Sequence, residues 1–590
     1  MSRSPRGCWR AVIGSSGELM TTRRKLIFLA IGIGLLTFVL YLPVRHLRLT
    51  HWDDLGYLKI AEANRLTWAG IKYAFTSTHI YYQPLTWLSH GMDCVIWGKR
   101  YGGHHLQNIF WHALSALLVV VLAWQLSGAW NQRERLLFAA WVALVFAVHP
   151  LQVEPVAWLA GRKTVLAGFF SLLCVITYLH WAGRPAHRHW WWITIATYVA
   201  ALLSKPMAVP LPVVLLALDF FPLRRQATAS WRQLLREKWP LFALAGIVTV
   251  LTFIGQADAG ALRTIPLTLP ERGLVVARSL IFYAWKTVWP AWLSPFYALG
   301  GEISLHNPEF QFSLAVCLIV AGIAFLTKQR WPVVLAASLT YVALVLPVSG
   351  LFQAGGQAVA DRFAYLPLLA VTLLAGAGFV ICWRRWPVVV GLVLALHLGW
   401  LIVRTYEQIP VWTDNVTMWQ AVVRQDPGSR IEYRFIAEGL TDQRRYDEAL
   451  RYAEIAFALP NDEPDAQQKL GNTYRAIAVG FIEQHRFTEC LQAAQRAIEL
   501  LPNDAVAHAA AGLAALKTAQ YDDAAREFET ALRLKADLPA ARFNLACAYA
   551  RLGRSAEADQ ELRQTLAAKP TLAVQAAREP ALANLKLDSP

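Results

Sequence analysis

The chain has 590 residues, of which 56% are hydrophobic and only 16% are charged. This composition excludes an ordinary soluble globular protein and predicts a polytopic membrane protein. The formal net charge of +16 does not indicate nucleic-acid binding, because much of the lysine and arginine falls in short connections between apolar runs, where membrane orientation requires it. The seven cysteines are dispersed without CxxC spacing, so they predict neither a disulfide framework nor a thiolate metal site.

The N-terminal part of the chain is predicted to be a membrane anchor. Residues 1–24 are expected to form a cytoplasmic tail that ends in the basic pair Arg23-Arg24. The apolar stretch that follows, roughly nineteen residues, is too long for a signal-peptide core, and no small-x-small cleavage site accompanies it. We therefore expect an anchor that is not cleaved.

An all-α transmembrane domain is predicted over 25–404, with eleven apolar runs as candidate spans. The runs lie near 26–44, 106–127, 137–149, 164–182, 190–204, 206–222, 239–256, 312–327, 331–347, 364–382 and 387–404. A further segment, 273–293, contains Arg278 and Lys286, each of which costs roughly 2.5–3.5 kcal/mol at a bilayer centre. If this segment does not cross, every connection on the N-terminal side of the membrane is basic, as the positive-inside rule requires, so we predict eleven spans.

This topology places every unusual loop on the outer side of the cell (inner) membrane. The loops are 45–105, 149–163, the corner at 205, 257–311 and 348–363. The largest loop, 45–105, begins with the run His51-Trp52-Asp53-Asp54, in which two adjacent carboxylates follow a span directly. A solvated acidic turn is the plain interpretation of such a pair, and a pair of functional carboxylates is the alternative.

Three polar residues share one face of the helix that starts the second span. His105, Asn108 and His112 are separated by three and four positions, which is the spacing of one helical face. They either bind zinc, since histidine is the commonest metal ligand, or hydrogen-bond to neighbouring helices where the span enters the membrane. The sequence fixes no third ligand, so a metal site stays open.

Basic residues on the outer side are candidate phosphate ligands. Arg162 and Lys163 end a segment that begins at His149 and contains Glu154, and they either bind a phosphate at the membrane surface or snorkel at a helix end. Lys205 lies in a tight corner between two outer helix ends. The guanidinium of Arg362 suits phosphate oxygens, although the adjacent Asp361 could pair with it instead.

A second domain is predicted after a connector at 405–429. Over 430–575 the composition shifts to alanine, glutamate, arginine and glutamine, and a repeat of 34 residues appears, as between Ala524 and Ala558. This is the spacing of the tetratricopeptide repeat. About four repeats are expected to stack into an α-solenoid with a concave face. One hairpin is expected to carry an insertion around 480–486, and 576–590 form a C-terminal tail.

Six motifs in a fixed order, followed by these repeats, resemble the TMTC-type O-mannosyltransferases, and most closely their bacterial relatives. The motifs are HWDD at 51–54, YYQPLTWLSH at 81–90, GHHLQNIFWHA at 103–113, HPLQVEPVAWLAGRK at 149–163, SKPMAVPLPVVLLALDFFPLRR at 204–225 and ADRFAYLPL at 360–368. The resemblance implies a GT-C glycosyltransferase, an inverting enzyme that takes a single sugar, mannose or a similar hexose, from a polyprenyl-phosphate carrier. In the eukaryotic members the donor is dolichyl-phosphate mannose and the acceptors are Ser/Thr hydroxyls.

The resemblance also implies roles for residues. It maps the catalytic acidic pair of the first outer loop onto Asp53 and Asp54. We favour Asp53 as the general base, with Asp54 orienting it, binding a metal or holding a basic partner. The donor phosphate would be held by cations and the site supported by polar side chains, namely Arg362, Lys205, Arg162 and Lys163, then His105, Asn108, His112, His149 and Glu154. No cofactor is certain, although a divalent metal ion stays open.

The chain departs from the family pattern at two positions. Gln152 stands where family members often have histidine, and Thr164 stands where they often have an acidic residue. Either change could alter how the donor is handled.

Other functions stay possible at this stage. A GT-C transferase could modify a lipid or polysaccharide instead of a protein, and a membrane-anchored repeat scaffold would need no catalysis. A transporter is disfavoured, since no span centre carries a clear carboxylate. Eleven spans exceed what a scaffold needs, and the repeats favour a protein acceptor or partner.

Overall fold

The computed structural model describes residues 16–50, 52–78, 82–258, 267–299, 301–351, 357–460 and 465–583. Two residues of the sequence motifs, His51 and Tyr81, lie outside the described residues, as do 1–15 of the predicted N-terminal tail and 584–590 of the predicted C-terminal tail. The described part is helical except for a two-stranded antiparallel sheet of Tyr297–Ala298 (β1) and Gln357–Val359 (β2). The prediction of an all-α protein is therefore confirmed.

Seventeen helices occupy the described residues up to the repeats. They are α1 Ser16–Tyr41, α2 Asp54–Asn64, α3 Trp68–Thr76, α4 Pro84–Ile96, α5 Tyr101–Leu126, α6 Gln132–Val148, α7 Val153–Ala157, α8 Arg162–Gly183, α9 His189–Ser204, α10 Leu211–Phe220, α11 Trp231–Asp258, α12 Leu269–Val288, α13 Pro308–Leu326, α14 Pro332–Val345, α15 Pro367–Trp383, α16 Pro387–Gln408 and α17 Asn415–Val423. Each of the eleven predicted apolar runs coincides with one helix of this set.

The helices differ in how well their length and hydropathy suit a membrane span. Six described helices are long and apolar enough to cross a membrane, and there are seven if the bent pair α6 and Pro150–Ala157 counts as one span. Several of the other predicted spans correspond to shorter apolar helices, such as α14 and α15. The chain is a multi-pass membrane protein, and eleven spans stay a prediction.

The ambiguous segment at 273–293 lies in α12, which starts earlier than the apolar run and ends before Pro290. Thr268 and Glu271 form a capping box at its first turn, which explains the early start. The helix carries Arg278 and Lys286, and it is not among the helices apolar enough to cross. Whether it lies in the interface stays a prediction.

The site is positioned by the packing of α5 against α1, α6 and α8. Between α6 and α8 the chain makes short 3-10 turns at Pro150–Gln152 and Leu159–Gly161, with α7 between them, instead of one continuous helix. A second break occurs at Lys205, between α9 and the 3-10 turn Pro206–Ala208. Proline stands first in the turns at 150–152 and 206–208. It permits these corners, since its missing N–H needs no partner there.

The repeats form a compact unit of their own at 419–590, distinct from the unit at 1–418. Its helices are α18 Arg430–Asp442, α19 Tyr446–Ala458, α20 Ala466–Glu483, α21 Phe487–Leu500, α22 Ala505–Lys517, α23 Tyr521–Leu534, α24 Pro539–Arg551, α25 Ser555–Ala568 and α26 Ala573–Arg578. The first eight pair as four hairpins, so the predicted tetratricopeptide solenoid is confirmed in the described residues.

The inserted residues of the second hairpin lengthen a helix. Each hairpin turns through a residue with positive φ, at Arg444, His485, Ala519 and Gly553, so the spacings are 41, 34 and 34 residues. The extra seven residues amount to about two helical turns. Five of them lie in α20, which has 18 residues where α22 has 13, and the hairpin turn itself stays short.

Candidate active site

The two adjacent carboxylates of Asp53 and Asp54 have different environments. Asp54 begins α2 and is buried. Its carboxylate accepts hydrogen bonds of 2.9 Å from the backbone N–H and the hydroxyl of Thr50, and one of 3.0 Å from the N–H of Ala160. Burial raises the pKa of Asp54 to about 6, although these hydrogen bonds oppose the shift. Asp54 therefore joins the outer loop to the turn at Leu159–Gly161.

Asp53 is the accessible member of the pair. Its side chain is 32% exposed, and its carboxylate lies 3.1 Å from the ammonium nitrogen of Lys163. The Lys163 nitrogen also lies 3.1 Å from the hydroxyl of Tyr57, and 4.9 Å from the ring centre of Trp158. Aromatic rings and one carboxylate thus surround the ammonium group, which is largely buried.

Arg362 is held in place by Glu154. The carboxylate of Glu154 accepts a 2.7 Å hydrogen bond from the backbone N–H of Arg362 and a second hydrogen bond from its guanidinium. The guanidinium also donates to the side chain of Gln357 at 3.0 Å and lies over the rings of Trp52 and Trp158. Three of its five N–H groups have no hydrogen-bond partner among the described residues, so they are available to an anion. The adjacent Asp361 instead accepts a 2.9 Å hydrogen bond from Tyr297.

Lys205 lies beside the same cluster without a carboxylate partner. Its ammonium donates a 3.0 Å hydrogen bond to the hydroxyl of Thr164, and no carboxylate lies within ion-pair distance in the described part of the chain. Burial, together with the charge of Arg362, lowers the pKa of Lys205 well below its ordinary value. A bound anion would reverse that shift, since it would stabilise the ammonium form.

A shallow apolar cleft lies beside Lys205. It is lined by Thr164, Ala167, Gly168, Ser171, Lys205, Met207, Ala208, Tyr365 and Leu366. The lining is mostly apolar and comes from α8, the turn after α9, and the start of α15. The cleft combines an apolar wall with one ammonium group at its edge.

Arg162 is a buried connecting residue and is not part of the accessible cation cluster. Its side chain is fully buried, and all five of its N–H groups donate to the protein. The acceptors are the side chains of Asn108, Ser89, Gln107 and Asp93 and the carbonyl of His104. The expectation that Arg162 holds a phosphate is therefore corrected, because no N–H group remains for one.

The predicted supporting residues do not converge on one point. His112 contacts the hydroxyl of Tyr365 at 3.0 Å, and His149 contacts the carbonyl of Thr287 at 3.0 Å. Asn108 donates to the carbonyl of Trp158 at 2.9 Å and accepts from Arg162. His105 is buried with both ring nitrogens unpaired. The interpretation of packed, hydrogen-bonded side chains fits Asn108 and His112 better than a shared zinc site.

Two residues of the cluster were not predicted from the sequence. Tyr57 contacts Lys163, and Gln357 contacts Arg362, yet neither stands in a recognisable pattern of charged residues. Tyr57 lies one helical turn after Asp53, and that spacing is the only signal that could have indicated it.

Comparison with known proteins found relatives of one kind. No family model matches the chain. It is 21% identical to the protein O-mannosyl-transferase Tmtc3 of Drosophila melanogaster, over 67% of this chain and 50% of that protein. It is 24% identical to the protein O-mannosyl-transferase TMTC4 of Homo sapiens, over 65% of this chain and 58% of that protein. This chain thus spans about half the length of the curated relatives it matches.

Among solved structures the repeats are similar to YrrB, a tetratricopeptide-repeat protein, at 19% identity and a TM-score of 0.24, over 28% of this chain and 81% of YrrB. The relatives are protein O-mannosyl-transferases by name, and they cover about two thirds of this chain. The resemblance of this multi-pass membrane protein to the TMTC-type O-mannosyltransferases is thereby confirmed.

Proposed function

We propose that this chain is a GT-C glycosyltransferase of the inner membrane that transfers a single sugar, mannose or a similar hexose, to Ser/Thr hydroxyls of exported proteins. The donor would be a polyprenyl-phosphate sugar, and the reaction would take place on the outer side of the membrane. The observation that carries the proposal is the cluster of Asp53, Lys163, Arg362 and Lys205, with an apolar cleft starting at Lys205. The names of the relatives support the reaction class.

The cations of this cluster suit the donor phosphate. Lys163 and Arg362 each have a carboxylate partner, whereas among the described residues Lys205 donates to the hydroxyl of Thr164 and lies over the ring of Phe363. A phosphate bound here would favour the protonated form of Lys205 and would neutralise its charge. The remaining N–H groups of Arg362 would bind phosphate oxygens, and the polyprenyl chain would lie in the cleft beyond Lys205.

The chemistry requires one base and one leaving group. The acceptor oxygen attacks C1 of the sugar while the bond from C1 to the phosphate oxygen breaks, so the polyprenyl phosphate leaves with the bonding electrons. The proton of the acceptor hydroxyl passes to a carboxylate, for which Asp53 is the accessible candidate. Attack on the face opposite the phosphate would invert the configuration at C1. Asp54 would position Asp53 through the start of α2.

The repeats would bring the acceptor protein. Four hairpins of the described residues stack into a solenoid, and such solenoids present an extended concave surface for binding. A protein acceptor or partner is therefore the occupant that we propose for this surface.

The test is mass spectrometry of envelope glycopeptides from a deletion strain that expresses either the wild-type chain or Asp53→Asn. We expect a defined hexose on Ser/Thr peptides with the wild type, and a loss of more than about 100-fold in the variant, since a positioned general base contributes that much. Glu309→Gln is the matched control, because Glu309 is an outer-loop carboxylate that is ion-paired with Arg278 and exposed.

Equal glycosylation by wild type and Asp53→Asn, at equal protein levels, would remove Asp53 from the catalytic role. An envelope glycopeptide profile that does not depend on the chain would indicate a lipid or polymer acceptor, or a scaffold.

A further inference from the structure

Three buried residues of the first outer loop form a compact group of potential metal ligands outside the cluster described above. His90 and Asp93 lie on α4, and His104 lies in the first turn of α5. A ring nitrogen of each histidine and a carboxylate oxygen of Asp93 lie within 4.8 Å of one another, and all three residues are fully buried. The motifs at 81–90 and 103–113 contain His90 and His104, whereas Asp93 lies outside the six motifs.

The hydrogen bond of His104 prepares its other nitrogen for a metal. The Nε2 atom lies 2.9 Å from the carbonyl oxygen of Gly98, and a carbonyl can only accept, so Nε2 carries the proton. In the neutral ring the Nδ1 atom then presents a lone pair, which faces the Oδ2 atom of Asp93 at 3.6 Å. Histidines that bind metals usually donate their second ring N–H to a carbonyl or carboxylate in this way.

The neighbouring polar atoms are without partners. Both ring nitrogens of His90, the Oδ1 atom of Asp93 and the Nδ1 atom of His104 are buried with no hydrogen bond. Buried polar atoms are rarely left so, and four of them in one group indicate a missing ligand.

A protonated His104 is the competing explanation for the geometry. It would need to donate from Nδ1 to Asp93, but 3.6 Å is too long for such a hydrogen bond. It would also add a second buried cation beside Arg162, which already lies 2.8 Å from the Oδ2 atom of Asp93. A protonated His104 would still leave both ring nitrogens of His90 without a hydrogen-bond partner. The Oδ1 atom of Asp93 remains free for a metal because Arg162 uses only Oδ2.

We propose that His90, Asp93 and His104 bind a structural Zn²⁺ ion, with a water molecule as the fourth ligand. Two imidazoles and one carboxylate are a typical donor set for zinc, which prefers four ligands in a tetrahedral arrangement. The ion would tie α4 to the start of α5 behind Arg162. It would thereby fix the first outer loop that carries Asp53, without taking part in sugar transfer.

The test measures metal in the full-length protein, purified in detergent. Zinc per chain is determined by elemental mass spectrometry for the wild type and for the variants His90→Ala and His105→Ala. His105 is the matched control, because it is buried with two unpaired ring nitrogens yet is not part of the group. We expect about one zinc per chain in the wild type and in His105→Ala, and a loss of at least about tenfold in His90→Ala.

A second measurement needs no variant and covers the case in which His90→Ala does not fold. The wild-type protein is stripped with a chelator and titrated with Co²⁺, which should give the intense visible d–d absorption of tetrahedral coordination at one equivalent, reversed by Zn²⁺. Wild-type protein that holds no zinc and gives no such band would overturn the proposal. Equal zinc loss in His105→Ala and His90→Ala would also overturn it.

Discussion

The ammonium nitrogen of Lys163 lies 3.1 Å from the carboxylate of Asp53, which joins the start of α8 to the residue before α2. If both residues serve one transfer step, replacing both should lower the transfer rate little more than replacing the more important one. We expect the double variant Asp53→Asn/Lys163→Met to transfer sugar at nearly the rate of the worse single variant. Transfer rates of the two single variants and the double variant test this.

Arg278→Met supplies the comparison for that cycle. Arg278 has an exposed ion pair with Glu309, so its loss should combine independently with Asp53→Asn. If the effects of the Asp53 and Lys163 substitutions on the transfer rate were also independent, the contact between the two residues would not act in catalysis.

The buried carboxyl of Asp54 should make the stability of the protein depend on pH. Its pKa is about 6 in the folded protein, against 3.8 for the unfolded chain, because burial disfavours the charged form. The folded state therefore binds the proton more tightly, and this contribution to stability is complete below the unfolded pKa and is lost as the pH rises through about 6.

The size of that loss would be on the order of 3 kcal/mol for a shift of about two pKa units. Thermal unfolding across this range should show a fall in stability with rising pH in the wild type, and Asp54→Asn should remove that step. Only the slopes of stability against pH are compared, since the amide of the variant also changes the hydrogen bonds to Thr50 and Ala160. An identical slope in the variant would assign the pH dependence to another group.

The five hydrogen bonds of Arg162 should make it one of the least replaceable side chains. Arg162→Met would leave the carboxylate of Asp93 buried without its cation, at a cost of roughly 3–5 kcal/mol in the free energy of unfolding. Arg278→Met is the control, because exposed ion pairs contribute at most about 1 kcal/mol. Thermal unfolding in detergent compares the stability of the two variants. Equal losses of stability would show that the buried hydrogen bonds of Arg162 contribute no more than an exposed ion pair.

Gly168 permits the close approach of Tyr365 at the cleft. A Cβ atom at this position would lie 2.2 Å from the Tyr365 ring, so Gly168→Ala must displace that ring. We expect a loss of roughly 1–3 kcal/mol in the free energy of unfolding. At Gly246 a Cβ atom would meet nothing within 4 Å, so Gly246→Ala should be neutral or slightly stabilising. Equal thermal stability of the two variants would contradict the close contact.

Gly480 plays a similar role in the repeats. A Cβ atom there would lie 2.1 Å from the ring of Tyr446, which begins α19. We expect Gly480→Ala to loosen the first two hairpins and to increase their rate of hydrogen exchange in the full-length chain. Gly428→Ala is the control, since its Cβ atom would make only an ordinary contact. Unchanged exchange in Gly480→Ala would mean that the ring moves aside without cost.

The helices and repeats could be predicted because both depend on local patterns. Apolar runs such as 106–127 must form helices in a membrane, where each backbone polar group needs an internal partner. The 34-residue period likewise predicts a solenoid, because each hairpin buries its apolar face only against the next hairpin. The start of α12 was misplaced, because the apolar run did not show the capping box formed by Thr268 and Glu271.

The roles within the candidate site could be predicted only in part. The sequence showed Asp53 beside Asp54 and Arg162 beside Lys163, but neighbours in a sequence need not share an environment. Folding buries Asp54 and Arg162, where protein groups satisfy their hydrogen bonds, and pairs the partly exposed Asp53 with the largely buried Lys163. That division depends on contacts between residues about a hundred positions apart.

The sequence by itself thus determined the membrane-embedded helices, the repeat domain, the family resemblance and the set of charged residues between the apolar runs. These follow from composition and from periods of a few to a few tens of residues, which any chain of this pattern shares. Only the tertiary structure decided which cations remain available, where the apolar cleft begins, and that His90, Asp93 and His104 meet. Burial and hydrogen bonding between distant segments set these properties, because they arise only when the helices pack together.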